Sequence, residues 1–181
     1  MLTGGSKPLA ARGAGDHASR MTQRWFIKLD GIPGDSVDAA HKDWIDVQSW
    51  SWGVANAGAL ASGGGGGAGK ATFQDLAVAA QLGRASPKVF LACATGQHIK
   101  EATLSGVTAS GKGKGVEFLT IRLRDVLVVS HQLGDSIGVA PGDQFALSYA
   151  RIEISYEPQS ATGQAAPAVT AGYDLTANKK V

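Results

Sequence analysis

The amino-acid sequence predicts a mainly β protein with one short α-helix. Several segments alternate apolar and polar residues with a period of two, which is typical of strands. The longest of these segments carry apolar residues on both faces over part of their length, as expected where a sheet is covered on two sides or closes into a barrel. A single segment has well-defined signals for the start and end of a helix.

The first two strand candidates lie near the start of the patterned sequence. Trp25, Ile27 and Leu29 form the apolar face of a short strand, and the segment from Gly31 to Gly34 breaks it. A second strand runs from about Trp44 to Val54. Strict alternation would give it two faces, one with Trp44, Trp50, Trp52 and Val54 and the other with Ile45, Val47, Ser49 and Ser51.

The second half of the chain contains the longest strand candidates. Val116 to Ser130 is the longest, and Phe145 to Tyr156 follows it. In the latter segment the apolar residues change faces near Ala150, which indicates a bulge or a change of environment. Shorter strands are expected at Thr103 to Ala109 and around Tyr173 to Leu175.

One helix is expected directly after Ser86. Ser86 is a good N-cap residue, Pro87 fits the first helical position, and Gly96 can end the helix in a left-handed conformation. The segment Ala71 to Leu82 is ambiguous, because its alanines permit a helix and its β-branched and aromatic residues permit a strand.

The 181 residues correspond to about one domain. We interpret residues 1–23 as a disordered leader or an extension foreign to the fold, because they are rich in Gly, Ala and Ser and show no periodicity. They also lack the apolar stretch of a secretory signal. Met21 directly precedes the patterned sequence and is our candidate for the natural start. Residues 24–181 are predicted to form a single domain.

Composition excludes several classes of protein. The single cysteine, Cys93, allows no internal disulfide and reads as a small core residue of the helix. Residues 1–23 contain three basic side chains and one acidic side chain, so they hold the whole net charge of +2 and residues 24–181 sum to zero. We therefore expect no nucleic-acid binding. No apolar run reaches the length of a membrane helix, and the histidines show no metal-ligand spacing.

Two apparent catalytic motifs are incomplete. Gly64 to Lys70 resembles a phosphate-binding loop, but Ala71 stands where that loop needs the Mg²⁺-binding hydroxyl of Ser or Thr. Gly134 to Gly138 matches the G-x-S-x-G pattern of a hydrolase with Ser136 as nucleophile. A strand rather than a helix is expected after it, which is typical of a hairpin loop.

The segment Ala55 to Gly69 is the most unusual part of the sequence. It spans 15 residues, of which seven are glycine, and carries no charge. Ordering a backbone costs about 1–2 kcal/mol per residue, and Gly, Ala and Ser side chains offer few contacts in return. The segment is therefore either flexible or ordered by a neighbouring subunit.

A set of short strings recurs in a characteristic order and spacing over roughly residues 24–174. They are F-I-K at 26–28, I-D-V at 45–47, W-S-W-G at 50–53, the glycine run at 63–67, Q-D-L at 74–76, S-P at 86–87 and Y-E-P-Q at 156–159. Together these strings resemble the hemolysin-coregulated protein family, which forms the tube of the bacterial type VI secretion system.

The resemblance implies a two-sheet antiparallel β-barrel with one short α-helix packed on its side and an extended Gly-rich loop, and it makes Ala71 to Gln81 a strand. It implies a structural subunit of the inner tube, without catalytic residues, cofactor or metal. The expected partners are further copies in a homohexamer, stacked rings, the spike protein, contractile sheath proteins and small effector proteins, with no nucleic acid and no membrane insertion. The protein is expected in the cytoplasm before firing and then outside the cell, without a cleaved signal peptide.

The resemblance also assigns roles to particular residues. Ser49 and Ser51 are expected to face the channel and its effectors, because Trp50 and Trp52 on the same strand pack inward. Contacts between subunits or stacked rings are expected from Asn56, Gly58, Leu60, Ser62, Gly63, Gly64, Gly65, Gly66, Gly67 and Lys70. The alternatives are a monomeric β-barrel with a small ligand inside it and a small hydrolase that uses Ser136.

Overall fold

The computed structural model describes residues 23–56, 71–108, 115–136, 139–158 and 167–181. Of the predicted leader, residues 1–23, only Gln23 is among these residues, and it begins the first strand. In chain order the described residues form β1 Gln23–Leu29, β2 Ile45–Ser51, β3 Val54–Asn56, β4 Ala71–Phe73, β5 Leu76–Gln81, α1 Ser86–Thr95, β6 His98–Thr108, β7 Val116–Ser136, β8 Val139–Tyr156, β9 Val169–Asp174 and β10 Lys179–Lys180.

Eight of the strands form one antiparallel sheet that closes on itself. Its order is β10-β9-β8-β5-β2-β1-β6-β7, and a further pairing between β7 and β8 closes a barrel from β1, β2, β5, β8, β7 and β6. The first half of β8 pairs with β5 and its second half with β9, so β9 and β10 extend the sheet beyond the barrel. β3 and β4 form a separate two-stranded sheet. The predicted β-barrel is confirmed.

The predicted change of faces near Ala150 is also confirmed. Tyr149 and Ile152 are both buried although they are three residues apart, and β7 makes the same change between Leu123 and Val126. Asp125 lies within this change and has a left-handed φ of 54°. The change occurs where β8 leaves β5 and joins β9.

The ambiguous segment Ala71 to Leu82 is β rather than helical, as the family resemblance implied. The single strand expected over Ala71 to Gln81 is divided into β4 and β5, since residues 74 and 75 belong to neither strand. The helix ends as predicted, with Gly96 at φ 63°. Its start differs, because Ser86 is the first helical residue rather than the N-cap. The hydroxyl of Ser86 accepts a hydrogen bond from the backbone N–H of Gly83, in the turn that precedes the helix.

Apolar side chains fill the interior of the barrel. Every strand of the barrel contributes at least one residue that is less than 10% exposed. These side chains form one contiguous hydrophobic cluster. The fully buried members include Ile27, Leu76, Leu104, Ile121, Leu123, Val126 and Leu147.

Residues 30–44, between β1 and β2, fold back over the outer face of the barrel and are held there by His41. Its ring stacks on Phe26 at 4.5 Å, with 5° between the planes. Its Nε2 lies 2.9 Å from the Ser105 hydroxyl on β6, and its Nδ1 lies 3.1 Å from the Asp38 carboxylate. Ser105 in turn donates to the carboxylate of Glu117 on β7. This cluster joins one loop to three strands of the barrel.

The Asp38 carboxylate is expected to make the fold less stable in acid. Burial raises its pKa, but hydrogen bonds from the His41 side chain and from the backbone N–H groups of Ala40 and His41 outweigh that effect and hold the pKa below its usual value. A lowered pKa stabilises the folded state above the unfolded pKa of about 3.9, and this contribution is lost as the pH falls through the folded value.

We expect the free energy of unfolding to fall as the pH drops below about 4, and to fall less steeply in Asp38→Asn. Denaturant titrations between about pH 5 and pH 2.5 measure both slopes. Asp30→Asn is the control, because Asp30 is exposed and its carboxylate has no hydrogen bond among the described residues. Equal slopes in wild type and Asp38→Asn would contradict the prediction.

Candidate functional site

A bulge in β2 decides which way the two predicted site serines point. Ile45 and Val47 are buried inside the barrel, and the register with β5 shifts between Val47 and Ser49. After this shift Trp50 packs against the core, whereas Ser49 and Ser51 are exposed on the outer face. Strict alternation placed Ile45 and Val47 on the same face as the serines, and the bulge makes that part of the prediction wrong.

Ser49 and Ser51 each belong to a row of neighbouring residues that crosses four strands. Each row crosses β2, β5, β8 and β7 in turn, and its members are direct cross-strand neighbours. We call these eight residues the neutral face. The first row is Ser51, Ala77, Ala146 and Ser130, and the second is Ser49, Ala79, Gln144 and Gln132.

The neutral face is a shallow groove of small side chains. Its open volume is about 290 Å³. The eight residues contribute three hydroxyls, two primary amides and three methyl groups, and none of them is charged. Such a surface can donate and accept neutral hydrogen bonds over a wide area, and its small side chains leave room for a bulky partner.

Sequence reasoning found only the two serines of this face. The alternation in β5 contained the signal for Ala77 and Ala79, since Leu76, Val78 and Ala80 are its buried residues. Gln132 and Gln144 could not be found in this way, because their approach depends on the pairing of β7 with β8.

The predicted loop residues are almost entirely outside the described part of the chain. Asn56 is exposed at the end of β3. The others, Gly58, Leu60, Ser62, Gly63, Gly64, Gly65, Gly66, Gly67 and Lys70, lie outside the described residues, as does the whole phosphate-loop-like string Gly64 to Lys70. β3 and β4 pair directly on either side of this segment, and Gln74 N–H donates to the carbonyl of Gly53 at their base.

The hydrolase-like motif is only partly within the described residues, since Ile137 and Gly138 lie outside them. Ser136 is the last residue of β7, and its backbone pairs with Val139 at the start of β8. The next described element is therefore a strand, whereas a nucleophile elbow requires a helix after the serine. Cys93 is partly buried and packs against the core from α1, in agreement with its predicted structural role.

The described ranges contain no cluster of three or more His, Cys, Asp or Glu side chains that could hold a metal ion. None of the helices in the described ranges has the length and apolar character needed to cross a membrane.

Comparison with known proteins identifies a family. Residues 26–156 match the family model described as "Type VI secretion system effector, Hcp". The chain is 40% identical over 139 residues to Protein hcp1 of Pseudomonas aeruginosa, an alignment that covers 76% of this chain and 85% of that protein.

Solved structures agree with this match. The fold is similar to the structure of a type six secretion system protein, with a TM-score of 0.82 and 30% identity over 88% of this chain and 100% of the other. It is also similar to the crystal structure of Hcp1 from Salmonella typhimurium, with a TM-score of 0.71 and 30% identity over 89% of this chain and 100% of the other.

Proposed function

Because this chain belongs to the Hcp family of type VI secretion system proteins, we propose that it is the structural subunit of the secretion tube. Six copies would close into a ring, and rings would stack into a tube that carries small effector proteins in its channel. The observation that carries this proposal is the neutral face, an uncharged surface on the outside of a barrel with an apolar core. A structural subunit binds its partners through an external surface of this kind.

The same proposal gives the protein its partners and its route. The tube would contact a spike protein at one end and contractile sheath proteins along its length. The subunit would be made in the cytoplasm and leave the cell when the sheath contracts, without a cleaved signal peptide. It would act without catalysis, cofactor or metal.

The chemistry of the neutral face indicates how effectors would be held. Hydroxyls and amides bind a polar surface through many weak hydrogen bonds, each contributing about 0.5–1.5 kcal/mol. Because the eight side chains carry no charge, retention of an effector would depend little on ionic strength. Weak and numerous contacts suit a channel that has to release what it carries.

Replacing Ser51 tests this role of the face. Ser51→Gln fills the groove beside Ala77, whereas Ser51→Ala removes the hydroxyl without filling space. We expect Ser51→Gln to retain at least tenfold less of the small proteins that co-purify with the wild-type ring, and Ser51→Ala to retain most of them. Quantitative mass spectrometry of purified rings measures this, with ring mass as the control for assembly. Rings of Ser51→Gln that keep the wild-type complement would contradict the proposal.

A further inference from the structure

The β3–β4 hairpin is tied to the barrel by the hydroxyl of Tyr149. This tyrosine lies on β8, and only 7% of its surface is exposed. The indole N–H of Trp52 donates to its oxygen, and its O–H donates to the backbone carbonyl of Gln74 at 3.1 Å. One phenol oxygen therefore uses both a donor and an acceptor position.

The two partners of Tyr149 flank the hairpin. Trp52 stands two residues before β3, and Gln74 is the first residue after β4. The hydroxyl therefore holds both legs of the hairpin at the point where they leave the barrel. Chain entry and exit are fixed to the same atom of a buried residue.

Aromatic contacts support the same junction from the side. The ring of Phe73 on β4 lies 6.4 Å from that of Trp52 and stacks at 5.1 Å on Tyr173 of β9. These contacts are apolar and set distance rather than direction. The hydrogen bonds through Tyr149 are directional, since a hydrogen bond weakens steeply once its angle falls below about 120°.

Tyr149 keeps its donor hydrogen over a wide pH range. Burial raises the pKa of the phenol, the hydrogen bond from Trp52 acts in the opposite direction, and the carboxylate of Asp75 raises the pKa further. The O–H to Gln74 is therefore retained at neutral and moderately alkaline pH.

We propose that Tyr149 is the positioning residue of the β3–β4 hairpin, and that its hydroxyl fixes the direction in which the hairpin leaves the barrel so that one ring can stack on the next. The inference rests on the proposed ring-and-tube function. The proposal assigns the hydroxyl to ring stacking, so the two steps of assembly, ring closure and stacking, are measured separately in its test.

The test compares Tyr149→Phe with Tyr173→Phe in the full chain. Tyr149→Phe removes the junction hydroxyl and keeps the buried ring. Tyr173→Phe is the matched control, because it keeps the stack on Phe73 and loses only a hydroxyl that donates to the side chain of Asn178 at the surface. Light scattering gives the ring mass, sedimentation velocity and electron microscopy give stacking, and hydrogen exchange reports the order of each strand.

For Tyr149→Phe we expect an unchanged ring mass, about tenfold weaker stacking, and about tenfold faster amide exchange confined to Val54–Asn56 and Ala71–Phe73. Tyr173→Phe should match wild type in all three. Wild-type exchange and stacking in Tyr149→Phe would overturn the inference, and so would loss of the ring itself. If Tyr149→Phe does not fold, Trp52→Phe removes the indole donor together with part of the aromatic ring and should change the same measurements in the same direction; unchanged values in that variant would overturn the inference.

Failure of the proposed function gives a different pattern. Wild-type rings that never stack would contradict the tube, and the exchange rates of the hairpin would then decide the positioning role alone. If rings of the wild type and of Tyr149→Phe stack to the same extent, the result supports the tube and contradicts the positioning role.

Discussion

Replacing Gly34 with alanine is expected to lower the free energy of unfolding by about 3 kcal/mol. A Cβ atom at this position would lie 2.2 Å from the carbonyl oxygen and 2.5 Å from the carbonyl carbon of Trp44, so the backbone has to move. It is not free to do so, because Ser36 N–H donates to that same oxygen and Gly34 N–H donates to the carbonyl of Asp43. The folded backbone of residues 30–44 therefore requires glycine at position 34.

Gly134→Ala is the matched control for this change. Gly134 lies in β7, and an added Cβ would meet nothing within 4 Å. A surface substitution of this kind changes stability by about 0.5 kcal/mol or less. Guanidinium titrations of the two variants give both values, and equal unfolding midpoints would show that the close approach at Gly34 is easily relieved.

Replacing His41 with alanine is expected to cost about 2–5 kcal/mol, because a buried ring is lost from a packed site and its hydrogen-bond partners are left unpaired. Both ring nitrogens of His41 lie within hydrogen-bond distance of a partner, Nε2 at the Ser105 hydroxyl and Nδ1 at the Asp38 carboxylate. Without the ring, two carboxylates remain near each other and Phe26 loses its stacking partner.

His98→Ala is the control, because it removes a histidine that lies outside the His41 cluster. His98 lies 3.4 Å from Asp125, and both side chains are 59% exposed. An exposed pair of this kind contributes about 0–1 kcal/mol. The loss of unfolding free energy should therefore be severalfold larger in His41→Ala than in His98→Ala. Thermal or denaturant unfolding of the two variants at neutral pH measures both losses. Similar losses in both would show that the cluster around His41 adds no more than a surface pair does.

Much of the barrel was predictable because its strands follow local rules. Alternation identified β1, β7 and β8, and the change of faces near Ala150 was visible from the apolar pattern alone. The helix end at Gly96 followed from the freedom of glycine at positive φ. The features that were missed depend on other parts of the chain.

The bulge in β2 shows why local rules were insufficient. Apolar residues occur on both nominal faces of this strand, and only the pairing with β5 shows that the register shifts after Val47. The neutral face depends on this shift, since it places Ser49 and Ser51 beside Ala79 and Ala77. A sequence shows which residues are small, but the register determines which small residues become neighbours.

The His41 cluster was missed for the same reason. Its members come from a loop, from β6 and from β7, and Ser105 and Glu117 are 64 and 76 positions from His41 along the chain. The sequence contained no spacing rule that would join them. The Tyr149 junction likewise joins Trp52 to a residue 97 positions away.

Absolute mass in solution tests the central claim that this chain is a ring subunit. Light scattering on the purified protein, with and without residues 1–20, is expected to give six times the 18.5 kDa mass of the full chain, and six times the shorter mass for the truncated form. The rings should then be visible by electron microscopy. A monomer in both samples, at concentrations well above micromolar, would contradict the ring and with it the proposed tube.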